Sequence, residues 1–235
     1  MVAGNTTNRT TARCDVAVWD LPTRLFHWGL VLLVAVAIVS AKTDRMTIHM
    51  LAGEAILALL LFRLVWGLIG SQTARFADFV KGPRAVLAYA AGTLRGKRGG
   101  MAEKPVLGHN PMGGLMVLAL LGALTLQAVA GLFTSDDILV DGPLVAQASG
   151  DVVAGFSTLH RVLADGILIL IGVHVLAVLA YLVVKRDNLI RPMITGRKTI
   201  PADAPVEPPK RRPAALALAV MAAAAGLVAA VVQAG

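Results

Sequence analysis

His160-Arg161-Val162-Leu163-Ala164-Asp165-Gly166-Ile167-Leu168-Ile169-Leu170-Ile171-Gly172-Val173-His174 is the stretch whose reading decides the fold. It begins and ends on a histidine, and it lies inside a longer apolar run over 156–184. At 100° per residue, a spacing of fourteen returns to within about 40° of the same helix face, and the rise separates the two rings by roughly 21 Å. One membrane helix therefore presents two imidazoles on one side, one near each face of the bilayer. His27 and His49 stand at the edges of two earlier apolar runs. Four histidines at two depths have the pattern of axial ligands for two b-type haems.

The rest of the chain agrees with a membrane reading. Of its 235 residues, 57% are hydrophobic and 15% charged, against ~25% charged in ordinary soluble domains. The apolar runs cover 24–41, 48–70, 112–133, 156–184 and 213–233, the last Ala-rich from Ala214 to Val232. Each approaches or exceeds the ~20 residues that cross the hydrocarbon core. The expected fold is an all-α integral membrane protein, a four-helix transmembrane bundle holding two b haems, with an additional fifth helix at the C-terminus. Its expected divisions are a flexible cytoplasmic tail (1–15), the transmembrane domain (16–198), a basic, Pro-rich cytoplasmic linker (199–212) and the Ala-rich helix (213–235).

Basic residues orient the bundle. The tail has Arg9, Arg13 and Arg24. The 71–111 connection has Arg75, Lys81, Arg84, Arg95, Lys97, Arg98 and Lys104. The 185–212 connection runs from Lys185 and Arg186 through Arg191, Arg197 and Lys198 to Lys210, Arg211 and Arg212. By contrast, the 134–155 connection carries Asp136, Asp137, Asp141 and Asp151 and no basic residue. The positive-inside bias then puts the N-terminus in the cytoplasm and 134–155 outside, and five spans carry the C-terminus outside too. Only the short 42–47 loop, with Lys42 and Arg45 against Asp44, votes weakly the other way.

A net charge of +8 invites a nucleic-acid reading. These charges, however, flank apolar helices and are not interleaved with aromatics on a soluble face, which argues against it. Orientation and contact with anionic lipid account for them. The Thr-, Asn- and Arg-rich residues 1–15 show no apolar core of a signal peptide, so the first helix reads as a retained anchor. Cys14 is the single cysteine, so no intramolecular disulfide forms. No C-x-x-C-H motif exists for covalent haem attachment.

The derived topology also pairs the histidines. The first helix runs outward, placing His27 near the cytoplasmic face, and the second runs inward, placing His49 near the outer face. On the inward-running fourth helix, His160 lies near the outer face and His174 deeper. Depth thus matches His27 with His174 and His49 with His160. A single interfacial histidine is commonly a snorkelling polar residue. Four ionisable groups paired by depth point instead to function. Zinc fits less well, because it takes clustered tetrahedral ligands. Gly29, Ala52, Gly53, Gly166 and Gly172 near these histidines leave room for a planar group, though small residues are equally the means of membrane helix packing.

Val18-Trp19-Asp20-Leu21-Pro22-Thr23-Arg24-Leu25-Phe26-His27-Trp28 resembles the opening of the bacterial cytochrome b561 family, which includes the cytochrome b subunits of nickel-iron hydrogenases. Further blocks agree in order: His49 with Gly53, Arg63 through Ser71, Ala74-Arg75-Phe76, Gly108-His109-Asn110-Pro111-Met112-Gly113-Gly114, and His160 through His174. The resemblance covers about residues 16–198. It implies a four-helix di-haem core that passes electrons between a quinone pool and a redox partner in the bacterial inner membrane. The implied ligands are His27, His49, His160 and His174, with His109 in a family motif but outside the ligand set. The basic 185–212 segment and the Ala-rich final helix depart from the simplest members.

Other polar positions have two readings each. Arg63, fourteen residues beyond His49, falls at the depth of the cytoplasmic pair, where it either meets a haem propionate or snorkels to the interface. Arg161 either serves the outer propionates or anchors at the interface. Glu54 and Asp165 are either proton relays for quinone chemistry or structural groups that hydrogen-bond between helices or pair with Arg161. Asp20 and Arg24 read as a cap or a local pair. The implied quinone site is expected near the cytoplasmic haem, at His109 and Asn110, with capping of the third helix as the other use of Asn110.

Two functional classes remain. One is a membrane electron conduit on which a dehydrogenase, hydrogenase or c-type cytochrome docks. The other is a stand-alone oxidoreductase that passes electrons from a small molecule such as superoxide to quinone. The extra helix and basic segment favour the first, and the outer acidic loop offers a docking surface for a basic partner. A transporter fits poorly, because no inverted repeat or broken-helix pair is evident.

Overall fold

The computed structural model describes residues 12–94, 107–136, 140–202 and 206–235. Arg9, Arg95, Lys97, Arg98, Lys104 and Asp137, which entered the charge argument, lie outside the described residues. Among those described, five helices are long and apolar enough to cross a membrane. They are α1 (Leu21–Lys42), α2 (Met46–Ile69), α5 (Pro111–Leu132), α6 (Gly150–Val183) and α8 (Ala214–Gln233). Short α3 (Phe76–Phe79), α4 (Pro83–Leu94) and α7 (Ile190–Thr195) lie in the connections. The chain is a multi-pass, all-α membrane protein, and its five spans fall where the apolar runs place them.

Local chemistry sets the helix ends. Asp20 caps α1, its Oδ1 accepting the Thr23 N–H at 3.0 Å, with Pro22 in the first turn. Asn110 caps α5 in the same way through Gly113 N–H at 2.8 Å, ahead of Pro111. Each side chain satisfies one of the donors that a helix N-terminus leaves unpaired. The α6 helix starts six residues before its apolar run, because Gly150 to Gly155 break the hydrophobic pattern without breaking the helix.

A two-stranded antiparallel sheet joins the chain's beginning to its later connection. β1 (Arg13–Ala17) pairs with β2 (Arg197–Pro201), in register from Arg13↔Pro201 to Ala17↔Arg197. The strands take in residues 13–15 of the expected flexible tail and 199–201 of the expected linker. Gly196 ends α7 with φ +79°, and its carbonyl accepts both the Val18 and Trp19 N–H groups. The left-handed conformation suits glycine, and a Cβ here would come within 2.9 Å of the Trp19 carbonyl.

α1 packs on α2, α5 on α6, and α2 joins the two pairs through α5. Among the described residues, α6 packs its backbone closely against α5 alone. α8 lies along α2, burying Ala217, Ala224 and Val228 against Ile56, Leu57 and Leu60. Both of its ends are tied. Gln72 exchanges hydrogen bonds with Lys210, and Arg212 N–H donates to Ser71 Oγ, while Gln147 Nε2 donates to the Ala234 carbonyl at 2.6 Å. α8 is thus a full-depth fifth helix running antiparallel to α2. The sheet, the 71–75 turn and residues 210–212 share one end of the bundle, and the 134–149 connection and the C-terminus share the other.

Candidate functional site

The two histidines at the 134–149 end meet across the gap between α2 and α6. The His49 and His160 rings stand 6.1 Å apart by centroid, at right angles. Each is aimed by a backbone carbonyl of a neighbouring helix. His49 Nδ1 bonds Ala37 O on α1 at 2.9 Å, and His160 Nδ1 bonds Gln127 O on α5 at 3.0 Å. A carbonyl only accepts, so both Nδ1 atoms carry the proton and both Nε2 atoms keep a free lone pair. Orienting a histidine ligand through its other nitrogen is the usual support for metal ligation.

Helix packing explains why those carbonyls are reachable. A carbonyl inside a helix is flanked by the side chain four residues on, and here those residues are Ala41 and Gly131. A Cβ on Gly131 would lie 3.2 Å from His160 Cε1 and 3.5 Å from its Nδ1. Gly131 therefore belongs to the site, although it was not singled out from the sequence. A signal existed in its position one turn beyond Gln127.

The opposite end gathers His27, His174, His109 and Arg63. His27 and His174 are within electrostatic reach of each other. His27 packs edge-on against Trp28 at 4.9 Å, and its buried Nδ1 has no hydrogen-bond partner. Arg63 is only 2% exposed, so it does not snorkel. Its guanidinium lies 5.2 Å from the Phe76 ring centroid and 6.0 Å from that of Phe26. Its Nη1 is buried without a hydrogen-bond partner, and Asp20 supplies the nearest opposite charge. Leaving such atoms unpaired costs about 1–3 kcal/mol each.

His109 is wedged between Trp19 and Phe79, at 4.8 and 4.6 Å. Burial first, then the nearby charges of Arg63, His174 and His27, push its pKa down to about 3. It also lines a cavity of about 310 Å³ shared with Gln72, Thr73, Asp78, Lys81 and Glu207. Asn110 is fully engaged, capping α5 through Oδ1 and donating from Nδ2 to the Tyr181 hydroxyl at 2.8 Å. The capping use anticipated for it is present.

Arg161 is exposed at the other end. Its Nη2 donates to Thr158 Oγ1 at 3.4 Å, and it lines a cavity of about 760 Å³ with Ser135, Asp141, Ser157 and Thr158. Among the described residues, no ion pair joins Arg161 to Asp165 or Glu54. Nor does Asp20 pair with Arg24. Asp20 Oδ2 accepts the Trp66 indole N–H at 3.0 Å, while Arg24 donates to the Met193 and Ile194 carbonyls. Of the small residues near the histidines, Gly29 contacts Leu59, whereas a Cβ on Gly53, Gly166 or Gly172 would meet nothing within 4 Å.

Among the described residues, no three His, Cys, Asp or Glu side chains gather as a metal cluster. His49 and His160 stand as a pair, and paired histidines suit a porphyrin iron, whose macrocycle supplies the remaining ligands. A metal held between the two Nε2 atoms by bonds of ~2 Å would, with the ring radii added, need imidazole centroids ~6 Å apart. The His49–His160 pair has that spacing, and at the opposite end the unpaired Arg63 Nη1 suits the carboxylate of a haem there. The residues present therefore fit haem.

No curated protein and no solved structure matches the chain. A family model described as prokaryotic cytochrome b561 matches residues 18–196, a span that contains α1 to α7 and all five histidines and stops short of α8. By that match over most of its length, the chain belongs to the prokaryotic cytochrome b561 family of membrane electron-transfer proteins that bind b-type haem.

Proposed function

We propose that the protein is a di-haem cytochrome b that carries electrons across the bacterial inner membrane between a redox partner and the quinone pool, as the membrane subunit of a respiratory complex. The observation that carries the proposal is the His49–His160 pair, 6.1 Å apart with both Nδ1 atoms committed to carbonyls. In this reading His49 and His160 hold the outer haem, and His27 and His174 hold the cytoplasmic one. Haem so held supplies a one-electron iron couple.

The chain's own groups do the rest. The Ala37 and Gln127 carbonyls fix the tautomer and aim of the outer pair. Arg63 offers its unpaired donor to a propionate at the cytoplasmic end, and the exposed Arg161, beside its cavity, serves the propionates at the outer end. Quinone exchanges at the cytoplasmic end, beside His109 and Asn110. The docked partner is a dehydrogenase, hydrogenase or c-type cytochrome. The orientation, with the N-terminus in the cytoplasm, is supported by the sheet. It brings the basic N-terminal segment and the basic 185–212 connection to one face, away from the acidic 134–155 connection.

The test is a pyridine haemochrome count on the purified, membrane-extracted protein, with a reduced-minus-oxidised spectrum. Two b haems per chain are expected, falling to one in His49→Ala and in His174→Ala. Correctly inserted wild-type protein that takes up no haem would refute the reading.

A further inference from the structure

The inward stripe of α6 does not end at its second histidine. His160, Ile167, His174 and Tyr181 follow at intervals of seven, and Ile167 is one of only two buried residues in this helix. Tyr181 thus lies on the face that carries both histidines, about 10 Å beyond His174 along the axis. It meets the protein's only other tyrosine: Tyr89, on α4, has its hydroxyl 2.7 Å from that of Tyr181. Asn110 Nδ2 donates to Tyr181. The Lys185 ammonium stands 4.4 Å from the Tyr181 ring centroid and 5.6 Å from that of Tyr89, and it reaches Thr93 Oγ1 at 3.5 Å.

A proton count shows what this cluster offers. The two phenols carry two hydroxyl protons, and one is used in the bond between them. Asn110 contributes its own proton, so it consumes none of theirs. One phenol proton is left, and no acceptor among the described residues receives it. Burial, then the Tyr181 hydrogen bond and charge, raise the Tyr89 pKa to about 12, so the phenol remains a donor at any physiological pH. Lys185 adds positive charge beside a hydrogen bond to a carbonyl oxygen. The flanking surface is apolar and open, with Leu87, Leu179, Val183 and Val184 exposed.

We propose that Tyr89 and Tyr181, positioned by Asn110 and Lys185, form the donor site for a ring carbonyl of a lipid-soluble quinone. The site rests on the functional reading above and relocates its quinone contacts. His109 stands behind, between its aromatic neighbours, and Asn110 acts through Tyr181. The long isoprenoid tail of such a molecule leaves across the exposed leucines and valines of α4 and α6. Binding involves one new O–H···O=C hydrogen bond and no redox step.

The experiment is equilibrium binding of decylubiquinone to the full-length, haem-loaded protein in lipid nanodiscs, corrected for partition into empty discs. Wild type binds saturably. Tyr89→Phe and Tyr181→Phe each weaken binding by up to about tenfold, the loss of one hydrogen bond, while the haem count and spectrum stay unchanged. The infrared carbonyl band of bound quinone moves to higher frequency in Tyr89→Phe, a shift that a purely structural role for the tyrosine would not produce. Unchanged affinity in both variants would overturn the site and leave the quinone reading standing. Absence of saturable binding in wild type would overturn both.

Discussion

Gly131→Val isolates the geometry of the His49–His160 pair without touching either histidine. The Cβ alone would sit 3.2 Å from His160 Cε1. Carbon–carbon contacts are most favourable at about 3.5–4.0 Å, so even alanine forces the ring back by roughly 0.3–0.8 Å. A valine methyl reaches about 1.5 Å further, and the displacement grows beyond 1 Å. Metal–ligand distances tolerate only about 0.2 Å. The retreating ring also stretches the Nδ1–H···O bond to Gln127, now 3.0 Å, which is worth ~1 kcal/mol. The helix itself does not lose, because valine is a better helix former than glycine by roughly 0.3 kcal/mol, so any loss of cofactor is not caused by a weakened α5. The assay is haem per chain by pyridine haemochrome. The value should fall from two to about one in Gly131→Val, whereas Gly131→Ala should retain two with a perturbed spectrum. Two haems and a wild-type spectrum in the valine variant would refute the placement of His160 as a ligand.

Arg63→Met removes a buried positive charge near His27 and His174, and its loss favours the oxidised form there; a redox titration should show one midpoint potential lowered by about 50 mV, roughly 1 kcal/mol per electron. His109 should make the protein acid-sensitive. Its ordinary value near 6.5 falls to about 3 in the fold, so the unfolded chain binds the extra proton between those limits. Stability is whole above about pH 6.5 and falls as pH is lowered, by up to ~1.4 kcal/mol per unit from this group. Thermal unfolding of His109→Gln against pH should show a shallower acid slope than wild type, and parallel curves would contradict the burial of the ring. Cys14 is exposed and is the sole thiol, so a membrane-impermeant maleimide should label inverted vesicles and spare right-side-out ones if the N-terminus is cytoplasmic.

The spans were legible because a membrane imposes a length and an apolar composition on each segment, and the five runs meet both conditions. That His49 and His160 share one end of the bundle was legible because helical rise converts spacing into distance. What escaped the sequence depends on contacts between segments. Tyr89 and Tyr181 are ninety-two residues apart, and nothing in α4 announces that its tyrosine turns towards α6; the interval of seven after His174 was the available hint. Gly131 reads as one small residue among many until His160 is placed against it. The five-residue strands lack the length and alternation that betray a sheet, and they pair only because the start of α1 and the end of α7 lie side by side. Arg24 was near enough in sequence to Asp20 to suggest a pair, yet the carbonyls at the end of α7 claimed it instead.

The β1–β2 clasp has a consequence for how the chain is assembled. β1 is synthesised before α1 and β2 only after the fourth span, and the Asp15 and Thr199 side chains that bond across the strands are 184 positions apart. Until β2 emerges, β1 has no partner, and closing so long a loop is slow relative to local helix formation. The strands meet only if the four intervening spans have returned the chain to its starting side. An inserted intermediate with an odd number of crossings leaves both strands open on opposite faces of the bilayer. Clasp formation is therefore a record of correct insertion of the first four spans.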